Sequence, residues 1–431
     1  MGEAATLFEK ALTETEAEAH IHGICFKTGP PRRIGVELEW LVRDRHDPAA
    51  PLAPERLEQA LAGLGAADGD GSLGEAVKAV LNKALITMEP GGQVELSSAP
   101  AKTLSELVDV TLRDLAALRD AMARADLELC GYGLDPLRLP TRMLNLPRYA
   151  AMEEFFDRDG PWGRQMMCGT ASVQVCVDAG DDGDGRSGYR SRWRLLHMIG
   201  PVLVAAFANS PLRAGRPSGW RSARQQVWAN LDPGRTRPPE ANGDPRAAWA
   251  AYAMNAEVMC VRDPGSADWT APPGLTFRDW VRGASREKKR RDQRPPTVED
   301  LDYHLSTLFP PVRPRGHLEL RMIDAQPGDG WIVPTAVVTA LADDDIAADE
   351  AMNAAEPVWE AREGDPWLRA ARCGPADPRL SQASKRCFEA AMGALTRAGA
   401  PTAIQQAVAD FTERYVLQDR CPADDQLEEA R

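Results

Sequence analysis

Glu89 and Glu95 lie on either side of a Pro-Gly-Gly sequence in the stretch ALITMEPGGQVELSSAP. Proline fixes its own φ and glycine tolerates the positive φ of a tight reversal, so residues 86–89 and 93–97 are predicted to pair as an antiparallel hairpin. Because side chains alternate across a strand, one face of this hairpin is apolar and the other carries a carboxylate. Carboxylates gathered on such a face could hold a hard cation.

Three further segments, 34–42, 170–178 and 316–324, alternate between apolar and polar residues in the same way. Their polar faces carry, in chain order, Glu37 and Glu39, then Gln174, then Glu319 and Arg321. The two carboxylates of the first segment are about 7 Å apart, given a rise of roughly 3.3 Å per residue. Strands whose apolar faces pack on helices predict an α+β fold with an antiparallel sheet.

Clustered carboxylates repel one another, and this repulsion limits what the polar face can be. At about 4 Å and an effective dielectric of about 20, a pair costs about 4 kcal/mol, so the cluster must be protonated, dispersed in water or bridged by cations. Carboxylates without thiolate or histidine partners favour Mg²⁺, with Mn²⁺ as the second choice.

An arginine beside such carboxylates indicates a particular chemistry. On a half-solvated sheet a single glutamate is more often solvated than ligating. Four acidic strands together, with Arg321 two residues after Glu319, favour phosphoryl transfer, because a metal and a guanidinium jointly neutralise the moving phosphoryl group. Motifs of other enzymes, GxxxxGK[ST], HExxH and GxSxG, are absent from the sequence.

Composition and charge exclude several partners. The chain has 431 residues, 43% hydrophobic and 27% charged, and a formal net charge of −13, which repels nucleic acid and anionic membranes. Its N-terminus is acidic and amphipathic, unlike a secretory signal, and its longest apolar run, 195–208, is too short to span a bilayer. We therefore expect a cytoplasmic protein with neither nucleic acid nor membrane as a partner.

The remaining segments should position the acidic strands. Helices are predicted over residues 6–26, 54–64, 73–85, 103–125, 189–209 and 297–309 and beyond residue 331, with an arginine-rich connection over 210–232. The acidic strands spread from residue 34 to residue 324, which predicts one catalytic domain over 1–344. Residues 345–431 are predicted to form a helical extension packed on that domain.

Lys288 and Lys289 belong to a basic run, SREKKRRDQR, at residues 285–294. Such a run is most often a solvated surface loop. It could also be a mobile lid over phosphates, and on this reading the two lysines bind nucleotide.

Five motifs occur in order between residues 34 and 324: IGVELEW, MEPGGQVELSSAP, MMCGTASVQVCVDA, AAFANSPLRAGRPSGWRSARQQVW and DYHLSTLFPPVRPRGHLELRMID. In these motifs the chain resembles the plant-type glutamate-cysteine ligases, including bacterial members that make γ-glutamylcysteine for ergothioneine. The resemblance implies a glutamine-synthetase-like core, in which the concave side of a curved antiparallel sheet holds Mg²⁺, ATP and L-glutamate.

The resemblance also implies roles for individual residues. The metal ligands would be Glu37, Glu39, Glu89, Glu95 and Glu319. Arg321 would contact the transferred phosphoryl group and the nucleotide, and with Glu319 it would be catalytic. Arg224 would grip the glutamate, and further substrate contacts would come from Gln174, Thr170 and Trp228. Gln174 stands where the related enterobacterial-type enzymes place a ligand histidine.

The chain departs from the plant pattern at one place. Plant enzymes carry an arginine just before the threonine that corresponds to Thr170, whereas this chain has Cys168 and Gly169 there. A substrate contact made by that arginine must be lost or supplied by another residue, and Arg164 is the predicted replacement.

The resulting hypothesis is ATP-dependent ligation of L-glutamate, through its γ-carboxylate, to L-cysteine. The products would be γ-glutamylcysteine, ADP and phosphate, with γ-glutamyl phosphate as the intermediate, and the protein would be a monomer or a weak homodimer. Three alternatives stay open: another carboxylate-amine ligase on the same fold, a nucleotide or metabolite sensor without turnover, and a metal-dependent hydrolase that needs no ATP.

Overall fold

The computed structural model describes residues 11–29, 32–64, 77–240, 243–263, 265–283, 294–361 and 364–430. Its strands are β1 (Ile34–Asp44), β2 (Val77–Leu81), β3 (Ala84–Met88), β4 (Val94–Ser97), β5 (Leu127–Cys130), β6 (Ser172–Asp178), β7 (Leu212–Arg213), β8 (Arg216–Pro217), β9 (Val312–Pro314) and β10 (His317–Asp324).

Its helices begin with α1 (Glu14–Cys25), α2 (Pro54–Ala62), α3 (Leu104–Arg124), α4 (Pro147–Asp157), α5 (Trp162–Gly169), α6 (Tyr189–Ala206), α7 (Ala223–Ala229), α8 (Pro233–Thr236) and α9 (Pro245–Asn255). They continue with α10 (Phe277–Val281), α11 (Val298–Leu305), α12 (Ile332–Asp343), α13 (Asp345–Glu360), α14 (Pro366–Cys373), α15 (Pro378–Arg397), α16 (Thr402–Arg414) and α17 (Pro422–Glu429).

One antiparallel sheet contains the predicted strands β1, β3, β4, β6 and β10 together with β2 and β9. Its order is β2-β3-β4-β1-β6-β10-β9, and β5 pairs with the end of β1. The register puts Glu39 opposite Glu95 and Glu37 opposite Gln174. On the next pair of strands, Glu319 is opposite Cys176. The polar residues of the four predicted segments therefore share one face.

The other face of the sheet is apolar and buried. Its side chains belong to the same hydrophobic core as α3, α6 and α12, which pack against β1, β10 and β6 respectively. Because side chains alternate across a strand, a slip of one residue would move this apolar set into solvent. Burial of one face thus fixes the register that assembles the polar face.

A β-bulge in β10 changes the alternation near its end. The pairing with β6 shifts between Leu320 and Ile323, so that Ile323 opposes Val173 and Asp324 opposes Ser172. A bulge sets two residues of one strand against one residue of its partner, which reverses the faces of the residues that follow. Asp324 consequently joins the polar side of the sheet.

The helix predicted over residues 73–85 is wrong for the part of that stretch that the structure describes, which forms β2 and the start of β3. Asn82 and Lys83 have φ values of 41° and 74° and connect the two strands as a two-residue turn. Positive φ at both central residues matches the right-handed twist of a hairpin. The hydrogen bonds of β3 to β4 then favour strands in this stretch, although its apolar residues are spaced as in a helix.

The stretch 210–232 was predicted to be a connection without regular structure. It contains helix α7 instead. The Ser222 hydroxyl caps this helix by accepting a hydrogen bond from the Gln225 amide at 3.1 Å. Another predicted helix is confirmed: α3 begins after the cap Thr103, whose hydroxyl accepts from the Glu106 amide at 3.2 Å, and it ends at Arg124.

Beyond Trp331 the described chain is helical, as predicted, and helices α13 to α15 pack on α6 or α12. The division into residues 1–344 and 345–431 stays a prediction. No helix among the described residues is both long and apolar enough to cross a bilayer.

The turn between β3 and β4 packs directly on the end of α5. The Glu89 amide donates to the Gln93 carbonyl at 2.8 Å, and a Cβ atom on Gly91 would overlap the backbone of Cys168. We expect Gly91→Ala to lower the free energy of unfolding by about 2 kcal/mol, because the added methyl overpacks this contact. Denaturant unfolding measures this loss, and Gly185→Ala, where a Cβ meets nothing within 4 Å, is the control. Equal stability of the two variants would contradict the close packing.

Candidate active site

A buried cluster of one carboxylate and two guanidiniums lies on strands β9 and β10. Glu319 is fully buried, and Arg313 donates to its two oxygens from Nε at 3.1 Å and from Nη2 at 2.9 Å. Arg321 donates to the same carboxylate from Nη1. Burial alone would favour the protonated acid, but the two guanidiniums lower the pKa of Glu319 well below its usual range. Glu319 is therefore an anion held between two cations.

Gln174 connects this cluster to the acidic strand β1. Its Oε1 accepts a hydrogen bond from Arg321, and its Nε2 donates to Glu39 Oε1 at 2.9 Å. The Ser172 hydroxyl donates to the other oxygen of Glu39 at 2.9 Å. A neutral amide, which can donate and accept at once, thereby fixes the orientation of a guanidinium on β10 and a carboxylate on β1.

The other end of the polar face, on β1 and β4, carries an excess of negative charge. Glu95 accepts hydrogen bonds from Ser97 and Thr87, at 2.9 Å and 3.3 Å, but burial and then the charges of Glu37, Glu89 and Glu39 raise its pKa well above the usual range. Burial and the charge of Glu319 raise the pKa of Glu37 to about 7. Protons or a cation must offset this repulsion.

These carboxylates fit a hard divalent cation by their chemistry. Glu37, Glu39, Glu89 and Glu95 are mutually destabilising oxygen donors. Oε2 of Glu319 accepts one hydrogen bond and keeps a lone pair, whereas Oε1 accepts two, from Arg313 and Arg321. Across the ranges that the structure describes, no three acidic, histidine or cysteine side chains converge as a preformed cage. Cation binding would therefore require these side chains to move together.

A cavity adjoins the Glu39 and Arg321 end of the polar face. It is lined by Glu39, Glu89, Pro90, Gln93, Arg148, Tyr149, Met152, Met166, Met167, Thr170, Arg224, Trp228, Phe309 and Arg321. The cavity thus contains two of the five predicted metal ligands and four residues predicted to bind substrate or nucleotide, namely Thr170, Arg224, Trp228 and Arg321.

Arg224 reaches the cavity from α7 and is almost completely buried. Its Nη2 donates to the Arg321 carbonyl at 2.8 Å, and its guanidinium lies 4.5 Å from the centre of the Trp228 ring. Its Nη1 is 3.7 Å from Asp324 Oδ1. The guanidinium of Arg224 is therefore held in place next to the Glu39 and Arg321 end of the polar face.

The role of Asp324 was missed in the sequence. Its carboxylate accepts from the hydroxyls of Ser210 and Ser222, at 2.7 Å and 3.0 Å, and from the Asn209 amide at 2.9 Å. It thus joins β10 to the start of α7 and orients Arg224. Simple alternation along β10 gives the wrong face for Asp324, and only the bulge brings it to this side.

Gln93 is a second residue that the sequence did not single out for the site. Its Nε2 donates to the carbonyls of Met167 and Thr170, at 3.2 Å and 2.9 Å, and its Oε1 accepts from the Gly91 amide at 3.0 Å. The Thr170 hydroxyl is itself bound to the Met166 carbonyl at 2.6 Å. Gln93 thus ties the hairpin to the cavity wall.

One predicted substrate contact, Arg164, is brought neither to this cavity nor to the polar face of the sheet. Arg164 lies outside it, on a half-exposed surface of α5, where it donates to Glu153 at 2.8 Å and to Asp157 at 3.1 Å. Two local carboxylates hold it there, and its role as the replacement arginine stays a prediction that this position does not support. Lys288 and Lys289 lie outside the described residues.

The candidate active site is thus an antiparallel sheet whose polar face changes from carboxylates at one end to paired guanidiniums at the other. The chain belongs to glutamate-cysteine ligase family 2, whose model matches residues 33–428. Glutamate–cysteine ligase EgtA of Mycobacterium tuberculosis is 40% identical over 423 residues, which cover 96% of this chain and 90% of that protein. The chloroplastic glutamate–cysteine ligase of Medicago truncatula is 29% identical over 338 residues, covering 75% of this chain and 63% of the plant protein. The predicted family is confirmed.

A solved structure is similar in fold. Glutamate–cysteine ligase from Francisella tularensis, in complex with AMP, aligns with a TM-score of 0.53 over 93% of this chain and 85% of that chain, at 12% identity. At this identity the similarity concerns the fold alone. The predicted fold class, an antiparallel sheet backed by helices in a ligase of this type, is confirmed.

The raised pKa of Glu37 predicts how stability depends on pH in metal-free buffer. The folded protein keeps a proton up to about pH 7, whereas the unfolded chain releases it near the ordinary value of 4.5, so stability should fall as pH rises between these values. We expect Glu37→Gln to reduce this fall by up to about 3 kcal/mol. Denaturant unfolding with a chelator at pH 5 and pH 8 measures it. Glu413→Gln, at an exposed position on α16, should leave the pH dependence of stability unchanged. If E37Q showed the same pH dependence as the wild-type protein, the pKa of Glu37 would not be raised.

Proposed function

We propose that this chain joins the γ-carboxylate of L-glutamate to the amino group of L-cysteine, using ATP and forming γ-glutamylcysteine, ADP and phosphate. The observation that carries the proposal is the hydrogen-bonded row from Glu39 through Gln174 to Arg321, beside a cavity that also contains Arg224. Such a row puts a cation-binding carboxylate and a phosphate-binding guanidinium next to a site for a small anionic substrate. The names of the relatives at 40% identity support the same activity.

The reaction has two steps. In the first, an oxygen of the γ-carboxylate attacks the γ-phosphorus of ATP, and the bond from that phosphorus to ADP breaks, which leaves γ-glutamyl phosphate. In the second, the nitrogen of the cysteine amine attacks the acyl carbon, the bond from that carbon to phosphate breaks, and the nitrogen loses a proton. No side chain of the protein is needed as a nucleophile.

The chain's own residues hold and orient the reactants. Arg321, which is fixed by hydrogen bonds to Glu319 and Gln174, would stabilise the charge of the transferred phosphoryl group. Arg224 would bind a carboxylate of the glutamate, with Trp228 against its guanidinium. Mg²⁺, or alternatively Mn²⁺, would be held by Glu37, Glu39, Glu89, Glu95 and Glu319. When bound, the cation supplies positive charge that offsets the charge of the polyphosphate.

A second cavity is our proposed site for the nucleotide. Its lining includes the basic residues Lys27, Arg262 and Arg315 and the acidic residues Glu299 and Asp302. Ser306 and Tyr303 also line it, and Arg148 of the first cavity donates to Ser306, so the two cavities are neighbours. Phosphates would bind the basic side chains and point towards Arg321. Lys288 and Lys289 remain additional candidates from the same basic chemistry.

The cellular setting follows from the same proposal. The net charge of −13 supports a cytoplasmic protein that binds neither nucleic acid nor membranes. We expect a monomer or a weak homodimer. The product would serve thiol metabolism that leads to ergothioneine, as the resemblance implies.

Arg321→Gln tests the assignment of the reaction centre. We expect turnover to fall by about 100- to 1000-fold, because the variant loses the cation next to the phosphoryl group. ADP release in the presence of ATP, Mg²⁺, L-glutamate and L-cysteine measures the loss. Arg119→Gln is the control, since Arg119 pairs with Asp329 at 2.9 Å outside the cavity and should leave turnover unchanged.

Three further measurements on the wild-type protein separate the alternatives: product formation with other amines, binding of ATP, and hydrolysis in the absence of ATP. Product formation with another amine but not with cysteine would identify a different carboxylate-amine ligase. Binding of ATP without any product would indicate a sensor, and hydrolysis without ATP would indicate a hydrolase. Near-normal turnover of R321Q would refute the role given to Arg321.

Arg315→Gln tests the proposed nucleotide cavity. We expect the KM for ATP to rise by about tenfold, because one charged contact to phosphate is lost, while the KM for L-glutamate stays the same. Initial rates with each substrate varied in turn measure this, and Lys102→Gln at the exposed start of α3 is the control. A rise in the KM for glutamate alone would place the nucleotide elsewhere.

A further inference from the structure

Three guanidiniums line the first cavity, and two of them face carboxylates of the protein. Arg321 pairs with Glu319, and Arg224 lies 3.7 Å from Asp324. Arg148 forms no ion pair within the described ranges. A guanidinium that faces a cavity without a carboxylate partner is a receptor for an anionic group of a ligand.

Arg148 is held rigidly in this position. It stands at the start of α4, directly after Pro147, which fixes the first turn of the helix. Its Nη1 donates to the Ser306 hydroxyl at 3.0 Å and its Nη2 to the Ser306 carbonyl at 3.3 Å, and its guanidinium lies 5.1 Å from the centre of the Tyr303 ring. These contacts orient the planar group before any ligand binds, which reduces the entropy lost on binding.

The number of carboxylates in the proposed reaction matches the number of guanidiniums. The donor brings an α-carboxylate and a γ-carboxylate, and the acceptor brings one α-carboxylate. The γ-carboxylate reacts next to Arg321, and Arg224 is the proposed contact for the other carboxylate of the donor. Among the described residues that line this cavity, Arg148 is the guanidinium left for the acceptor.

We propose that Arg148 binds the α-carboxylate of the acceptor amino acid and so defines the acceptor subsite, an inference that rests on the proposed function. The subsite takes over the positive charge that the sequence had assigned to Arg164. It requires an acceptor that is an α-amino acid and not a simple amine.

The rest of the cavity lining indicates which side chain the acceptor carries. Met152, Met166 and Phe309 are buried apolar residues that line the same cavity as Arg148. Thioethers and aromatic rings are polarizable and pack well against sulfur. They offer no partner to a charged side chain, which would be costly to bury there. The subsite therefore suits a short thiol or a small apolar side chain.

Arg148→Gln, assayed with two acceptors, tests this subsite. L-cysteine carries the carboxylate and cysteamine lacks it, while both carry the same amine and thiol. We expect the KM for cysteine to rise roughly 10- to 100-fold, whereas the KM values for glutamate and ATP stay unchanged. The kcat/KM for cysteamine should also stay unchanged, so the preference of the enzyme for cysteine over cysteamine should fall by the same factor.

A matched control lies on the same helix. Arg158, at the end of α4, donates to the Ala271 carbonyl at 3.1 Å and does not line the cavity, so Arg158→Gln should keep the wild-type preference. Arg148→Lys keeps the charge and should recover part of the preference. Arg148→Lys also carries the test if Arg148→Gln does not fold.

Two results would overturn the inference while leaving the proposed function intact. One is a rise in the KM for glutamate with that for cysteine unchanged, which would place Arg148 in the donor site. The other is an equal loss with cysteine and cysteamine, which would show that Arg148 does not bind the acceptor carboxylate. Absence of γ-glutamyl product from the wild-type protein with either acceptor would instead refute the proposed function itself.

Discussion

The structure depends on a balance between carboxylates and guanidiniums along one face of a single antiparallel sheet. At one end, burial and the charges of Glu37, Glu89 and Glu39 raise the pKa of Glu95, and burial and the charge of Glu319 raise that of Glu37. At the other end Glu319 is buried between Arg313 and Arg321 and stays ionised. A divalent cation at the acidic end and a polyphosphate near the basic end would complete the charges of both. Binding of the metal and the nucleotide would therefore be favoured, because it would relieve the electrostatic repulsion on this face.

The strands and the segments around the sheet contribute different parts of the candidate site. The strands supply the charged row, whose register is fixed by burial of the opposite face. The helices and connections supply the cavity wall, where Arg224 enters from α7 and Arg148 from α4. Strand residues are thus suited to the phosphoryl chemistry common to the family, and residues outside the sheet are suited to choosing the substrates. Ser306 contacts Arg148 and lines the second cavity, so it joins the proposed acceptor and nucleotide sites.

The sequence predicted the acidic face well because each strand has one buried face, and the alternation of apolar residues then reports which side chains point the other way. It failed where a local feature overrides periodicity. The turn at Asn82 and Lys83 converts a helical pattern into two strands, and the bulge in β10 moves Asp324 to the polar side. It also failed where a choice depended on tertiary contacts, since only the packing of α4 and α5 shows that Arg148 reaches the cavity and Arg164 does not.

Anomalous diffraction from crystals grown with Mn²⁺, a non-hydrolysable ATP analogue and L-glutamate tests the central claim most directly. We expect manganese peaks within about 2.5 Å of carboxylate oxygens from the acidic end of the sheet, with the γ-phosphate of the analogue within hydrogen-bonding distance of Arg321. Manganese bound only at other surfaces, or a nucleotide whose phosphates point away from this face, would contradict the account.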